Sequence, residues 1–333
     1  MNRLQTLLES EGTLLLDGAT GTMLMDKGLV SGDPPEEWNV LYPDNIRWLY
    51  RQYIEAGSRV ILTNSFGGSR FRLKLHNLQD RVRELNRAAA ALARLEADAA
   101  PHPVIVAGSI GPSGELMNPL GELTFDNAIA GFGEQAAALA EGGADVIWIE
   151  TMSDLNEVKA AVEGARSVCD LPIAATLSFD THRRTMMGIT ATQAAKTLGS
   201  WGLDAIGANC GNNLSDTESV MAQMHAVDPN LVLIVKANAG IPKWINGEQL
   251  YDGSPELMAQ YALRMRSLGI KLIGACCGST PEHIRAMAKA LATPIESPPI
   301  PNIIPTSNGA SLETNEQAVE KQVPRKRRRR RRR

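Results

Sequence analysis

The chain is 333 residues long, 44% hydrophobic and 21% charged, the balance of a globular protein with ample length for a large core. Its net charge of −3 conceals an asymmetry: residues 325–333 carry nine positive charges, which leaves −12 on the rest, and so acidic a body argues against a nucleic-acid-binding core. No apolar run approaches the ~18 residues of a membrane span, Met1–Ser10 lacks the apolar stretch of a signal peptide, and four cysteines suit a reducing compartment. The expectation is a cytoplasmic protein.

Short apolar runs alternate with helical patterns from the start. Thr13–Leu16 reads as a first strand, and Leu16-Asp17-Gly18-Ala19-Thr20-Gly21-Thr22 carries it into a helix. The glycines and hydroxyls of that turn can present backbone N–H groups to an anion such as a carboxylate, although Asp-Gly is also an ordinary turn dipeptide. Pro43–Ala56 follows as a helix with Ile46, Leu49, Tyr50, Tyr53 and Ile54 on one face, then strands at Val60–Thr63, Val104–Ala107 and Val146–Ile149. Glu150 ends the fourth run, where an acid can bind an ammonium group, start a helix or form a salt bridge, and Asp154 reads as a helix-start residue. Further strands at Ile173–Leu177, Ala205–Ala208, Leu231–Ala237 and Leu272–Ala275 alternate with helices at Leu155–Val168, Thr192–Leu198 and Pro255–Leu268.

Helix periodicity alternating with buried-strand runs means a parallel sheet. Eight runs at about 35 residues per unit fit a (β/α)8 TIM barrel over residues 1–292. The competing doubly wound sheet would want a G-x-G-x-x-G after the first strand, and none is there. Asp17, Asn64, Ser109, Glu150, Ser178, Cys210, Asn238 and Cys276 fall at or just past successive strand ends, which a barrel gathers at its C-terminal mouth.

Three of the four cysteines lie at two such ends, Ile206-Gly-Ala-Asn-Cys210-Gly211 and Leu272-Ile-Gly-Ala-Cys276-Cys277-Gly278. Cys210 alone reads as packing. Neighbouring thiols converge only where the strand has stopped, as Gly278 permits at Cys276-Cys277. Together the three suit a soft cation such as Zn2+ with one tetrahedral position left for a substrate. On alternate strands, six and eight, Cys210 and Cys276 are expected to point inward at similar levels. Cys169 reads as structural, the five histidines lack zinc-motif spacing, and Met186-Met187-Gly188 reads as loop packing or a lid.

Past Ala292 prolines crowd at 294, 298, 299, 301 and 305, so 293–333 reads as a disordered tail ending in a polybasic run. That run is a non-specific polycation or an attachment point for polyanions such as RNA, anionic lipid or an acidic protein.

Asp17-Gly-Ala-Thr-Gly, Thr63-Asn-Ser-Phe-Gly-Gly, Gly108-Ser-Ile-Gly-Pro, Glu150-Thr-Met-Ser-Asp, Gly207-Ala-Asn-Cys-Gly and Gly274-Ala-Cys-Cys-Gly-Ser-Thr-Pro together resemble the homocysteine S-methyltransferase family, over about residues 12–290. The likeness is strongest to the homocysteine-binding module of cobalamin-dependent methionine synthases, and includes Asn238-Ala-Gly. The resemblance implies that Cys210, Cys276 and Cys277 hold one Zn2+ and that homocysteine sulfur takes the open position. It implies that Glu150 holds the substrate amino group with Asp17 beside it, that Ser109, Ala19, Thr20 and Gly21 lie near the amino-acid end, and that Asn238 lines the pocket. Metal coordination keeps a thiol ionised at neutral pH, so attack on an electrophilic methyl group needs no general base. Gly67 and Thr151 stand where betaine-using relatives have tyrosines, which disfavours betaine and leaves Trp38 as the aromatic on the donor side. The implied donor is methylcobalamin, linked to methyltetrahydrofolate through a separate corrinoid partner protein. S-methylmethionine or betaine are the alternatives, and a non-catalytic binding or scaffold barrel with a polybasic tail is the reading from another class.

Overall fold

The computed structural model describes residues 1–245 and 248–293, so the predicted tail from 294 onward, with its basic run, lies outside the described residues. Eight parallel strands make one sheet: β1 Leu14–Leu15, β2 Val60–Leu62, β3 Ile105–Ile110, β4 Val146–Met152, β5 Ile173–Leu177, β6 Ala205–Cys210, β7 Leu233–Ala237 and, beyond a short antiparallel hairpin (β8 Pro242–Ile245, β9 Glu248–Tyr251), β10 Leu272–Ala275. Their order is β1-β10-β7-β6-β5-β4-β3-β2, and a parallel bridge between Leu16 and Val60 joins the two ends. With helices between successive strands, this is the (β/α)8 barrel. A doubly wound sheet has open edges and is excluded.

The strand alternation builds two cores. On β4, Val146 and Trp148 face the barrel axis, while Ile147 and Ile149 pack outward against the helices. The same parity puts Leu272 inside on β10 and Ile234 inside on β7. A helix over Arg3–Glu11, absent from the sequence reading, brings Leu4 and Leu7 into the inner cluster. Its N-cap, Asn2, donates from Nδ2 to Asp204 at 2.9 Å and so ties the plug to the foot of β6.

The helices at Pro43–Glu55, Leu155–Arg166, Ala191–Ser200 and Pro255–Ser267 agree with expectation within two residues. Their starts follow from capping chemistry: Asp154, Thr190 and Ser254 each accept a first-turn N–H, so Asp154 is a cap. Strands β3, β4 and β6 run two or three residues past the predicted apolar runs, so Ser109, Glu150 and Cys210 sit within the strands rather than beyond them. None of the helices among the described residues is long and apolar enough to cross a membrane.

Candidate active site

At the mouth, Cys210, Cys276 and Cys277 bring their sulfurs within 4.8 Å of one another. Cys210 Sγ lies 3.1 Å from Cys276 Sγ, and Cys276 Sγ lies 4.0 Å from Cys277 Sγ. Thiolates bound tetrahedrally at ~2.3 Å stand roughly 3.8 Å apart, so the cluster fits one metal ion with small adjustment. Strand parity supplies only part of this convergence. Cys276 continues the inward series Leu272, Gly274, and Cys277 joins it where the strand ends, before Gly278 at φ +75°. Cys210 departs from the expectation that it points inward as a strand residue. Its strand places Ile206 and Ala208 outward and Asn209 on the inner face, and Cys210 reaches the cluster through a left-handed backbone, φ +59°.

Three thiols so close cannot ionise independently. Hydrogen bonds from Cys210 and Cys276 hold Cys277 far below the ordinary thiol range, at about 3, and the Tyr251 hydroxyl adds to them. The bond to Cys276 pushes Cys210 well up. For Cys276 the bond with Cys210 acts downward, but Cys277 and burial outweigh it, and the thiol stands at about 11. The neighbouring thiols thus favour ionisation first at Cys277.

Asn238 ties the two cysteine loops together. Its Oδ1 accepts the Cys277 N–H at 3.1 Å and its Nδ2 donates to the Gly211 carbonyl at 2.8 Å. Asn209 does the same between β6 and β4. Its Nδ2 contacts Cys210 Sγ at 3.3 Å and Thr151 Oγ1 at 2.7 Å, while its Oδ1 accepts from the Thr151 N–H and from Thr176 Oγ1. Thr151 is itself left-handed, φ +62°, a costly state for a β-branched residue that the Asn209 contacts sustain.

Glu150, one residue earlier, continues the inward series Val146, Trp148 and is buried. Ser109 Oγ donates to its Oε1 at 2.5 Å, and no described residue donates to Oε2. Burial raises the carboxyl to about 7, against the opposing pull of Lys236 and Ser109. Ser109 is fixed in turn by Thr63 Oγ1, which accepts its N–H at 2.9 Å, and by Ser65 Oγ, which donates to its carbonyl at 2.7 Å.

Asp17 has both oxygens engaged: Oδ2 accepts the Leu62 N–H at 2.7 Å and Oδ1 accepts from Lys236 Nζ at 2.6 Å. Burial pushes Asp17 up while Lys236 draws it down. Burial acts to lower Lys236, but Asp17 and Glu150 hold it above its ordinary value. With a donor on each carboxyl oxygen, the geometry suits a carboxylate paired with an ammonium. The Ala19 N–H is already used, donating to Ser279 Oγ at 3.0 Å, whereas Thr20 and Gly21 open the helix Thr20–Met25. Trp38 is partly buried against the core and its ring meets Tyr42 at 4.8 Å. Gly67 donates its N–H to buried Glu36 at 2.6 Å. Cys169 donates weakly to the Ala165 carbonyl against the outer core, remote in the chain from the thiol loops.

The sequence reading missed Lys236, Asn209 and Tyr251. Lys236 had a visible signal, a lone charge inside the apolar run Leu231–Ala237, at the parity of Ile234.

A parallel barrel with three convergent thiols and an acid at its mouth has a sulfur-ligand set that could hold one metal ion. The homocysteine S-methyltransferase family model matches residues 14–291, and the chain belongs to that family. It is 31% identical over 306 residues to the methionine synthase of Mycobacterium leprae and 32% over 303 residues to that of Mycobacterium tuberculosis. These alignments take in 87% and 85% of the chain but 25% of either synthase, so the chain spans about a quarter of their length. The metallated form of the homocysteine methyltransferase MmuM from Escherichia coli superposes with a TM-score of 0.74 at 25% identity, over 86% of this chain and 99% of the other. The oxidised form gives 0.73 at 26%, over 87% and 99%.

Proposed function

We propose that the chain transfers a methyl group to the sulfur of L-homocysteine, giving methionine, with Zn2+ as its metal and methylcobalamin on a separate corrinoid protein as donor. The observation that carries this is the cluster of Cys210, Cys276 and Cys277 beside buried Glu150. Three thiolates leave one position of a tetrahedral zinc for a fourth sulfur, and bound zinc would supply the charge that keeps that sulfur ionised well below an ordinary thiol pKa of ~8.5. Glu150 would pair with the substrate ammonium through Oε2, with Ser109 fixing its other oxygen. The N–H groups of Thr20 and Gly21 would receive the substrate carboxylate, and Asn238 would set the spacing of the cysteine loops. Trp38 would stand on the donor side.

Likeness to the methionine synthases supports the corrinoid donor. A second reading keeps homocysteine as acceptor with a free sulfonium donor such as S-methylmethionine, which needs no partner protein. Betaine is disfavoured, because a Cβ at Gly67 would meet Glu36 Oε1 at 2.9 Å and Thr151 is locked by Asn209, so neither position can offer an aromatic wall.

The test is zinc content and methionine formation with the purified full chain, homocysteine and each of three donors: methylcobalamin, S-methylmethionine and betaine. Cys277→Ala runs alongside. Turnover with methylcobalamin that disappears together with zinc in the variant supports the proposal. Turnover with a sulfonium alone replaces the donor. A barrel without zinc or turnover leaves only the scaffold reading.

A further inference from the structure

The amino-acid end of the pocket holds two buried carboxylates, Asp17 and Glu150, for one ammonium group. Between them β7 sends in a cation, Lys236, 3% exposed and absent from the roles assigned above. Its Nζ sits 2.6 Å from Asp17 Oδ1, and on the inner face of the same mouth its charge and that of Glu150 favour one another. Asp17 already has a donor on each oxygen, the Leu62 N–H on Oδ2 and Lys236 on Oδ1. Glu150 differs, with one oxygen on Ser109 and the other without a described donor. Gly274, the register partner of Lys236 on β10, lets Leu16 and the Asp17 carbonyl close in, since a Cβ there would meet them at 2.6 and 3.0 Å.

We propose that Lys236 is a specificity-determining residue and Asp17 its anchor: the Asp17–Lys236 ion pair keeps the lysine off Glu150, so that Glu150 alone meets the ammonium of an α-amino-acid acceptor. Asp17 is then a positioning residue. The inference rests on the reading of Glu150 as the ammonium site. Its charge logic is simple. Two carboxylates and one ammonium leave a net charge of one, matched to the single ammonium of a zwitterion. Without Asp17, buried Lys236 must find another anion, and after Asp17 the charge acting on it most strongly is that of Glu150, ahead of Cys276. Without Lys236, both carboxylates face the ligand, and a ligand bearing extra positive charge gains.

The experiment is calorimetric titration of the zinc-loaded full chain with methionine, which carries the ammonium and no thiol, and with methioninamide, which lacks the carboxylate charge. Asp17→Asn is expected to weaken methionine roughly tenfold or more, and the double variant Asp17→Asn/Lys236→Met to recover most of that loss by removing both charges together. Lys236→Met alone should move the methionine-to-methioninamide preference about tenfold toward the amide. The recovery is a readout that damage to packing would not give, and thermal melts of each variant identify any that fail to fold. Should Asp17→Asn bind like the wild type, or the double variant stay as weak as Asp17→Asn, Asp17 is not acting through Lys236 and the proposal falls. Should Asp17→Asn prove unfolded, an unchanged ligand preference in Lys236→Met overturns it. Wild-type protein that does not bind methionine removes the Glu150 reading itself, whereas methionine binding without recovery removes only this inference.

Discussion

Asn209 holds Thr151 at two points: its Oδ1 accepts the Thr151 N–H at 2.9 Å, and its Nδ2 donates to Thr151 Oγ1 at 2.7 Å. The same amide reaches Cys210 Sγ, so one side chain links the residue after Glu150 to the thiol cluster. Asn209→Ala strips the half-buried Thr151 N–H and the buried Thr176 Oγ1 of their acceptor, a loss of about 2–3 kcal/mol in unfolding free energy. Thr151 would also be released from its left-handed state, and Glu150 beside it would lose its aim. Urea denaturation should show the stability loss, and steady-state kinetics a homocysteine KM raised roughly tenfold or more. An unchanged KM would mean that Glu150 is positioned without Asn209.

On the reading of Glu150 as the ammonium site, ligand binding depends on pH. Burial holds its carboxyl at about 7, above the ordinary 4.5. An ammonium ligand needs the carboxylate form, so below about 7 a proton must leave before the ligand binds. Methionine affinity should therefore rise up to tenfold per pH unit approaching 7 and level off above it. For stability the sign is opposite. The folded protein holds this proton more tightly than the unfolded chain, so its contribution is largest below 4.5 and is lost as pH rises toward 7. Glu150→Gln should bind methionine weakly with a flat profile across this range, as measured by calorimetry from pH 5.5 to 8.

Most of the scaffold was legible because buried parallel strands announce themselves as short apolar runs: Ile173–Leu177 and Leu272–Ala275 stand where expected. Strands that pass through polar residues extend beyond the predicted apolar runs, since Ser109 and Cys210 keep register partners that hydrophobicity does not report and Glu150 lies in an irregular step of β4 between Ile149 and Met152. The thiols were legible as residues but not as geometry. Two-residue periodicity puts Cys210 on the outer face, and only its left-handed backbone, invisible in the sequence, brings it to Cys276. Lys236 escaped notice because its meaning comes from a partner 219 residues away, Asp17, across the barrel mouth.

Gly278 and Gly211 pose a matched comparison, one glycine after each cysteine motif. Both are left-handed, at φ +75° and +80°, so alanine at either costs about 1 kcal/mol in backbone strain. Their surroundings differ. A Cβ at Gly211 would meet only Thr217 Oγ1, at 3.0 Å, whereas at Gly278 it would run into the Cβ, Cγ and Cδ2 of Tyr251, the stem of a side chain that cannot swing aside cheaply. Displacing Tyr251 also removes the hydroxyl that supports the Cys277 thiolate. Gly278→Ala should thus lose substantially more melting temperature than Gly211→Ala and retain less zinc after dialysis. Equal effects would show that backbone strain alone matters at these turns.

Asn238 offers the sharpest test of how the metal site is assembled. It touches no thiol, yet it clamps the loops that carry all three: Oδ1 on the Cys277 N–H at 3.1 Å and Nδ2 on the Gly211 carbonyl at 2.8 Å. Supports that orient metal ligands commonly contribute 10–100-fold to affinity, and Asn238→Ala is expected to lose zinc affinity in that range. Asn238→Asp should do no better. It keeps an acceptor for Cys277 but sets a carboxylate oxygen against the Gly211 carbonyl, where a donor is required. Competition against a chromophoric chelator measures both variants, with thermal melts of the zinc-free proteins separating a loss of metal from a loss of fold. If Asn238→Ala binds zinc as tightly as the wild type, the turns at Cys210 and Cys277 are rigid in themselves. The left-handed backbone at Cys210 and Gly278, rather than the asparagine between them, would then set the site.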